Sequence, residues 1–282
     1  MSATPFRTQL AAVGALVADT FEEARARWLF WGLFALSTLL ICFFLFALNI
    51  DLAQGAVSFV HVQSNAGSVG IERFVNVSYS WVSLFLYIWG TFLAIFASSG
   101  LIPSVLEPGR ISLLLSKPIT RSTLLMGRYL GNLLVIAAND VYLILSIWII
   151  LGLKTHIWQP RFLLAIPVAL FIFAVLLSVV VLTGVLTESA ALSVMVAFAL
   201  MLVSTILAQR ANAVRLLSSG WSRDLWSAFY WIVPKIYDLG AAMKQIVLYD
   251  NQVDWWTPVW TSAVFAIAIL SVALLLFRRR DF

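Results

Sequence analysis

"FLLAIPVALFIFAVLLSVVVLTGVLTESAALSVMVAFALMLVSTILA", residues 162–208, decides the fold: over its whole length it carries a single charged side chain, Glu188. A helix crossing hydrocarbon needs about 20 mostly apolar residues, and this run holds more than twice that. It breaks only at "TES", residues 187–189, a tight turn with capping side chains. The stretch therefore reads as two membrane helices back to back, 162–186 and 190–208. Ala190, Ser193 and Ala197, with Ala191 close by, give the second a small-residue stripe that lets a neighbouring helix approach closely.

Working outward, four more apolar runs qualify as spans: 28–50, 81–103, 130–153 and 258–277. Trp28, Trp81, Trp158 and the group Trp255, Trp256 and Trp260 stand at or near span ends, where amphipathic indoles prefer the interface. Composition agrees. The chain is 62% hydrophobic and 11% charged, against about 45–50% and about 25% in soluble domains. No water-soluble fold of this length hides so much apolar surface. The expected fold class is an all-α membrane protein of six transmembrane helices, a single domain over 1–282. Internal repeats and low-complexity tracts are absent.

The formal charge of +5 does not indicate nucleic acid. The basic residues cluster at the ends of apolar runs, where the positive-inside rule places them. With both termini inside, the inner set is Arg7, Arg25, Arg27, Arg110, Lys117, Arg121, Arg128, Arg278, Arg279 and Arg280. The outer set is Arg73, Lys154, Arg161, Arg210, Arg215, Arg223, Lys235 and Lys244. Five of the outer eight lie in one long segment, 209–257, and charges far from span ends weigh less. The expected topology has both termini cytoplasmic, with a short tail at 278–282. One cysteine, Cys42, permits neither an internal disulfide nor a cysteine metal site. Residues 1–27 lack a short apolar core followed by a small-residue cleavage site, so the first span is expected to act as an uncleaved signal anchor.

Thr4–Pro5 reads as a cap followed by the first helical residue. Phe6, Leu10, Val13, Val17, Phe21 and Ala24 then recur at steps of three or four. Residues 1–27 thus read as an amphipathic helix, either on the inner membrane surface or packed against the rest of the protein. The outer segment 51–80 reads either as a structureless loop or as a small hairpin of "AVSFVHVQ" and "FVNVSY" across "SNAGSVG". Asn76-Val77-Ser78 matches a glycosylation sequon, which means nothing without a eukaryotic secretory context. In 209–257, "SRDLWSAFYWIV" and "KIYDLGAAMKQIVLY" read as two short amphipathic helices, broken at Pro234 and half-sunk at the outer interface.

Catalytic signatures are missing. There is no G-x-x-x-x-G-K-[ST], no G-x-S-x-G and no H-E-x-x-H. The two histidines, His61 and His156, sit in outer segments without acidic residues at ligand spacing, and no span carries a histidine or lysine. The chain is therefore read as a non-enzyme with no catalytic, metal or cofactor-binding residues. Asp140 lies mid-span beside Asn139, with Asn132 two turns earlier. Such groups face protein or water. They either line a path or bond across a helix interface.

The segment 104–129 contains "EPGRISLLLSKPITRSTLLMGRYLG", residues 107–131. Pro108–Gly109 opens a turn, Ile111, Leu113, Leu114 and Leu115 make a short apolar face, and Lys117–Pro118 ends it. Thr120 can cap the helix that begins at Arg121. A short apolar helix flanked by Arg110, Lys117 and Arg121 suits a groove on a soluble partner.

These residues resemble the cytoplasmic loop of ABC-2 type transporter permeases, in which a glutamate, a glycine, an "LLS-P-xx-R" stretch and a "G-[KR]-x-x-G" follow the second span. The matching positions are Glu107, Gly109, Leu114–Ser116, Pro118, Arg121, Gly127–Arg128 and Gly131. "TFEEARARW", "IVPKIYDL" and the ending "FRRRDF" are also similar. The resemblance implies a half-transporter of the bacterial inner membrane, paired with a second permease subunit, expected to be a second copy, and with separate cytoplasmic P-loop ATPase subunits that hold ATP and Mg. It implies that 104–129 is a coupling helix, with Glu107, Gly109, Arg110, Leu113, Leu114, Lys117, Pro118 and Arg121 meeting the ATPase. The large outer segments resemble the NosY-like branch associated with metalloenzyme maturation. Two alternatives to an exporter stand beside it. One is an ATPase-driven transmitter acting on an external accessory protein without transport. The other is a secondary carrier, which needs more intramembrane charge than this chain has.

Overall fold

The computed structural model describes residues 6–26, 28–47, 67–100, 103–104, 120–209, 220–247 and 255–279. Most of the coupling segment, including Glu107, Gly109, Arg110, Leu113, Leu114, Lys117 and Pro118, lies outside them, as does the "AVSFVHVQ" strand expected at 56–63.

Ten α-helices make up the described chain. They are α1 (Phe6–Ala26), α2 (Trp28–Cys42), α3 (Gly67–Phe85), α4 (Thr91–Ser99), α5 (Arg121–Thr155), α6 (Ala165–Thr187), α7 (Ala190–Ala208), α8 (Gly220–Ile232), α9 (Ile236–Val247) and α10 (Trp256–Arg279). A π-helical turn, Phe43–Ala47, extends α2; a second, Leu86–Gly90, joins α3 to α4; a 3-10 turn, Pro160–Leu164, leads into α6. Five stretches are long and apolar enough to cross a membrane: 72–99, 121–155, 160–187, 190–208 and 256–279. A sixth arises if the bent pair Val13–Ala26 and Phe30–Phe46 counts as one span.

The helix ends follow local chemistry. Thr120 caps α5, its Oγ1 accepting from the Thr123 N–H at 3.1 Å. At the "TES" turn Glu188 takes a left-handed conformation, φ 56°, and its N–H closes on the Gly184 carbonyl. Ser189 then caps α7 by accepting from the Leu192 N–H. Two caps in three residues turn one apolar run into two antiparallel helices.

α6 is the centre of the bundle. It touches α4, α5, α7, α9 and α10, and Ile172, Phe173, Leu176, Leu177, Val180 and Val181 are all buried. A helix apolar on every side is what a central membrane helix requires. Lipid tails are as apolar as leucine, so contact and close approach hold such helices together. The small-residue stripe serves this: Ser193 and Ala197 of α7 are fully buried, and α7 packs along α6.

The strand reading of "FVNVSY" is corrected. Residues 67–85 form a helix, and its buried hydrophobic residues Val75, Tyr79 and Val82, continued by Leu86 in the π-helical turn, recur at helical spacing. Val77, which a strand would place beside Val75 and Tyr79, is exposed. Tyr79 stacks on Phe162 with ring centroids 4.2 Å apart. The sequon Asn76 accepts from Gln159 Nε2 at 3.0 Å inside this helix.

Side-chain bonds show which helix ends lie together. Arg121, opening α5, donates to the Arg278 carbonyl near the end of α10 at 3.3 Å. Lys154, near the end of α5, donates to the carbonyls of Phe44 (3.2 Å) and Leu45 on the π-turn that ends α2. One end of the bundle thus carries the start of α5 and the close of α10. The other carries the close of α2 and α5. This alternation matches the grouping of basic residues expected from the sequence.

Candidate functional site

The end of the bundle at the start of α5 holds a buried charge cluster. Arg128 lies on the second turn of α5 and is 1% exposed. Its guanidinium meets three groups on α1: Nη2 pairs with Asp19 Oδ2, and Nη1 donates to Glu23 Oε2 at 2.8 Å and to Thr20 Oγ1 at 3.3 Å. A planar fork with donors in fixed directions can serve two carboxylates at once, which an ammonium cannot do as well.

The helix spacing that lets this happen is set by glycine. A Cβ at Gly127 would come within 2.7 Å of the Leu16 side chain, and one at Gly131 within 2.6 Å of Thr20. The "GRYLG" stretch is therefore a slot: two glycines one turn apart admit α1, and the arginine between them pins it. α1 accordingly packs along α5, burying Leu16, Thr20 and Ala24, with Val13 and Val17 half-buried and Phe21 exposed. Of the two readings of the amphipathic helix, packing against the rest of the protein accounts for this face. Trp31 Nε1, donating to the Arg25 carbonyl at 2.8 Å, holds the α1–α2 junction.

Glu23 reaches further. Its other oxygen, Oε1, accepts from Ser104 Oγ at 2.9 Å. Ser104 stands just before residues 105–119 and α5 begins just after them. One carboxylate on α1 thus ties together the two roots of the segment expected to couple. Arg121, expected to meet an ATPase, bridges α5 to the end of α10. Sequence reasoning missed Asp19, Glu23 and Ser104 as site residues and met Arg128 only as a motif position. The available signal was the acidic pair in "DTFEEAR" on an amphipathic helix, facing a glycine-flanked arginine.

The mid-span polar residues sit on α5 and do not form a cluster with the Arg128 site. Asn132 Nδ2 donates back to the Arg128 carbonyl at 2.9 Å. Asn139 Oδ1 accepts from Ser37 Oγ of α2 at 3.1 Å. One turn on, Tyr142 stacks on Phe34 at 4.6 Å and its OH lies 3.3 Å from Thr38 Oγ1. All three predicted residues are buried. Asn139 and Tyr142 fasten α2 to α5, a helix-interface role.

The opposite end carries a second buried cation. Lys235, 2% exposed, sits in the break between α8 and α9, its Nζ 4.1 Å from the Trp231 ring centroid and 4.5 Å from that of Tyr230. The Tyr230 hydroxyl donates to Asp238 Oδ2 at 2.9 Å. The first N–H groups of α9 are met by serines from two spans. Lys235 N donates to Ser262 Oγ of α10 at 3.0 Å, and Tyr237 N to Ser204 Oγ of α7 at 3.1 Å. Ile236, Leu239, Ala242 and Met243 bury α9 inside the bundle, so of the two short helices expected here, α9 is a packed element rather than a half-sunk one.

Beginning inside α1 and running to the last residue, positions 15–282 match the model of the ABC-2 family transporter protein. The chain belongs to the ABC-2 transporter family. The match spans the α1–α5 clamp, every candidate span and the α8–α9 corner, and it does not single out a branch of the family. Compared with curated proteins, the chain finds no match. ABC-2 membership makes it a multi-pass membrane component of an ABC transporter and implies an ABC ATPase as its partner.

Proposed function

We propose that this ABC-2 protein is the permease subunit of an ATP-driven exporter, coupled through residues 105–119 to a separate ATPase subunit that holds ATP and Mg. Two permease subunits form the transport unit, and the α5-start end faces the cytoplasm of a bacterial inner membrane. One observation carries this reading: both roots of the 105–119 segment converge on the Glu23–Arg128 cluster. A push on that segment then reaches α1, α4 and α5 together rather than dissipating in a loop. Bonding in a buried cluster is stiff because its partners have no water to exchange with.

The test uses the chain purified with its ATPase subunit. Glu107→Ala and Gly109→Val are expected to leave membrane insertion and complex assembly intact while uncoupling ATP hydrolysis from the permease. Variants whose hydrolysis and permease function match the parent would remove 105–119 as the coupling element.

A second reading, a transmitter acting on an external accessory protein without transport, is favoured by the serine contacts at the far end. Because Ser204 and Ser262 hold the start of α9 from two different spans, relative movement of α7 and α10 is delivered to the outer helices. Substrate-independent ATPase activity that changes crosslinking of α8, with no solute crossing in sealed vesicles, distinguishes this from export.

A further inference from the structure

The face of α8 left uncovered among the described residues is ordered by side-chain type. Trp221, Leu225, Phe229 and Ile232 are 76%, 43%, 51% and 67% exposed. On a helix they fall within about 80° of arc. Arg223 and Ser227 fall on the opposite side, and Asp224 and the exposed Trp231 on the flank that leads from them back to Trp221. Trp226, Tyr230 and Val233, all half-buried, lie between and face the protein. A helix of 13 residues is about 20 Å long, too short to cross about 30 Å of hydrocarbon.

Its depth can be measured along the spans that hold its corner. Ser204 lies four residues inside the end of α7 at Ala208, and Ser262 six residues inside the start of α10 at Trp256. At about 1.5 Å per residue these anchors sit about 6 and 9 Å inside the span ends. Amphipathic helices that rest in a bilayer surface bury their apolar face by about 5–10 Å. Trp256 and Trp260, exposed at the start of α10, mark the same interfacial level.

We propose that α8 lies in the headgroup–acyl boundary of the bilayer with the Trp221–Leu225–Phe229–Ile232 stripe immersed, its roll angle set by the seating of Lys235 against Tyr230 and Trp231. The cation–π contact holds α8 to α9, and α9 is fixed in the bundle. The stripe therefore points into lipid and the Arg223–Ser227 side into water. A second copy or a soluble partner over the stripe is the competing outcome.

The test needs no nucleotide. In a Cys42→Ser background, single cysteines are placed by Leu225→Cys, Phe229→Cys and Arg223→Cys, all exposed positions. Each is nitroxide-labelled in full-length protein in phosphatidylcholine vesicles. Collision with oxygen, which concentrates in lipid, should exceed collision with a water-soluble nickel chelate several-fold at 225 and 229, with the reverse at 223. Labels at 225 and 229 that are immobile and shielded from both reagents would place protein over the stripe, and nickel-dominated collision there would place it in water. Either result overturns the proposal. Lys235→Met should shrink the contrast between 223 and 225 toward equality; an unchanged contrast removes the cage from the account of α8's roll.

Discussion

The two ends of the molecule bury a cation each and neutralise it differently. At one end Arg128 is held by Asp19 and Glu23, so that charge meets charge across two helices. At the other Lys235 lies on the faces of Tyr230 and Trp231, with its carboxylate neighbour Asp238 already bonded to Tyr230. Removing Arg128 strands the mostly buried Glu23 carboxylate, at about 3–5 kcal/mol, while Asp19, 51% exposed, is left facing water. Losing a desolvated cation–π contact costs about 2 kcal/mol, and the Asp238 carboxyl nearby keeps its Tyr230 hydrogen bond. The first end is thus built to come apart expensively and the second to tolerate change. That difference suits a force-bearing root and an adjustable outer corner.

The largest expected effect tests this directly. Arg128→Ala should lower thermal stability in detergent by about 3–5 kcal/mol and expose Arg25 to trypsin as α1 detaches, whereas Lys235→Met should cost about 2 kcal/mol. Equal losses would break the comparison. Next come the glycine slots. Gly131→Ala sets a Cβ 2.6 Å from the β-branched Thr20, and Gly240→Ala sets one 2.6 Å from the Tyr87 ring. Each is expected to cost about 1–3 kcal/mol by overpacking, measured as a shift in melting midpoint. Gly131→Ala should be the more severe, because Thr20 has little rotamer freedom to yield.

Smaller effects sharpen the outer corner. Ser204→Ala and Ser262→Ala each leave an N–H of α9 uncapped, at about 1 kcal/mol apiece, and should raise hydrogen exchange at Tyr237 and Lys235 respectively. The smallest is a pH dependence. Burial pushes the Asp238 carboxyl above its ordinary range, with the Tyr230 hydrogen bond and then Lys235 pulling it back. A carboxyl with a raised folded pKa holds its proton more firmly folded than unfolded. Stability at this corner should therefore decline as pH climbs from the unfolded value, about 3.9, through the raised folded one, and return on acidification. Asp238→Asn should flatten that slope in a melting series.

What could be read from residues alone followed from strong local signals. The "TES" turn, the Thr120 cap and the break at Pro234 each depend on neighbours in sequence, and each stands where expected, whereas the run read at 81–103 begins earlier, as a candidate span over 72–99. "FVNVSY" misled because Val75 and Tyr79 are four apart, a spacing that puts two residues on one face of a strand and equally on one face of a helix. Only Val77 separates the two periods. The placement of α1 was open because an amphipathic face does not say whether lipid or protein covers it. Glycines at 127 and 131 matter only when the opposing Leu16 and Thr20 are known. The same holds for the charge pairs: Arg128 and Asp19 are over a hundred positions apart, and no local pattern announces them. Lys235 carried a faint signal, a lysine after proline with aromatic residues four and five places earlier.

α5 extends from Arg121 to Thr155, 35 residues without interruption, or about 52 Å of rod. Hydrocarbon accounts for about 30 Å of that, so about 20 Å is left for its two ends together, and the α1 clamp grips the Gly127–Gly131 stretch near one of them. A small tilt within the bilayer is thereby magnified into a wide sweep at the tip, as with an oar working in its rowlock.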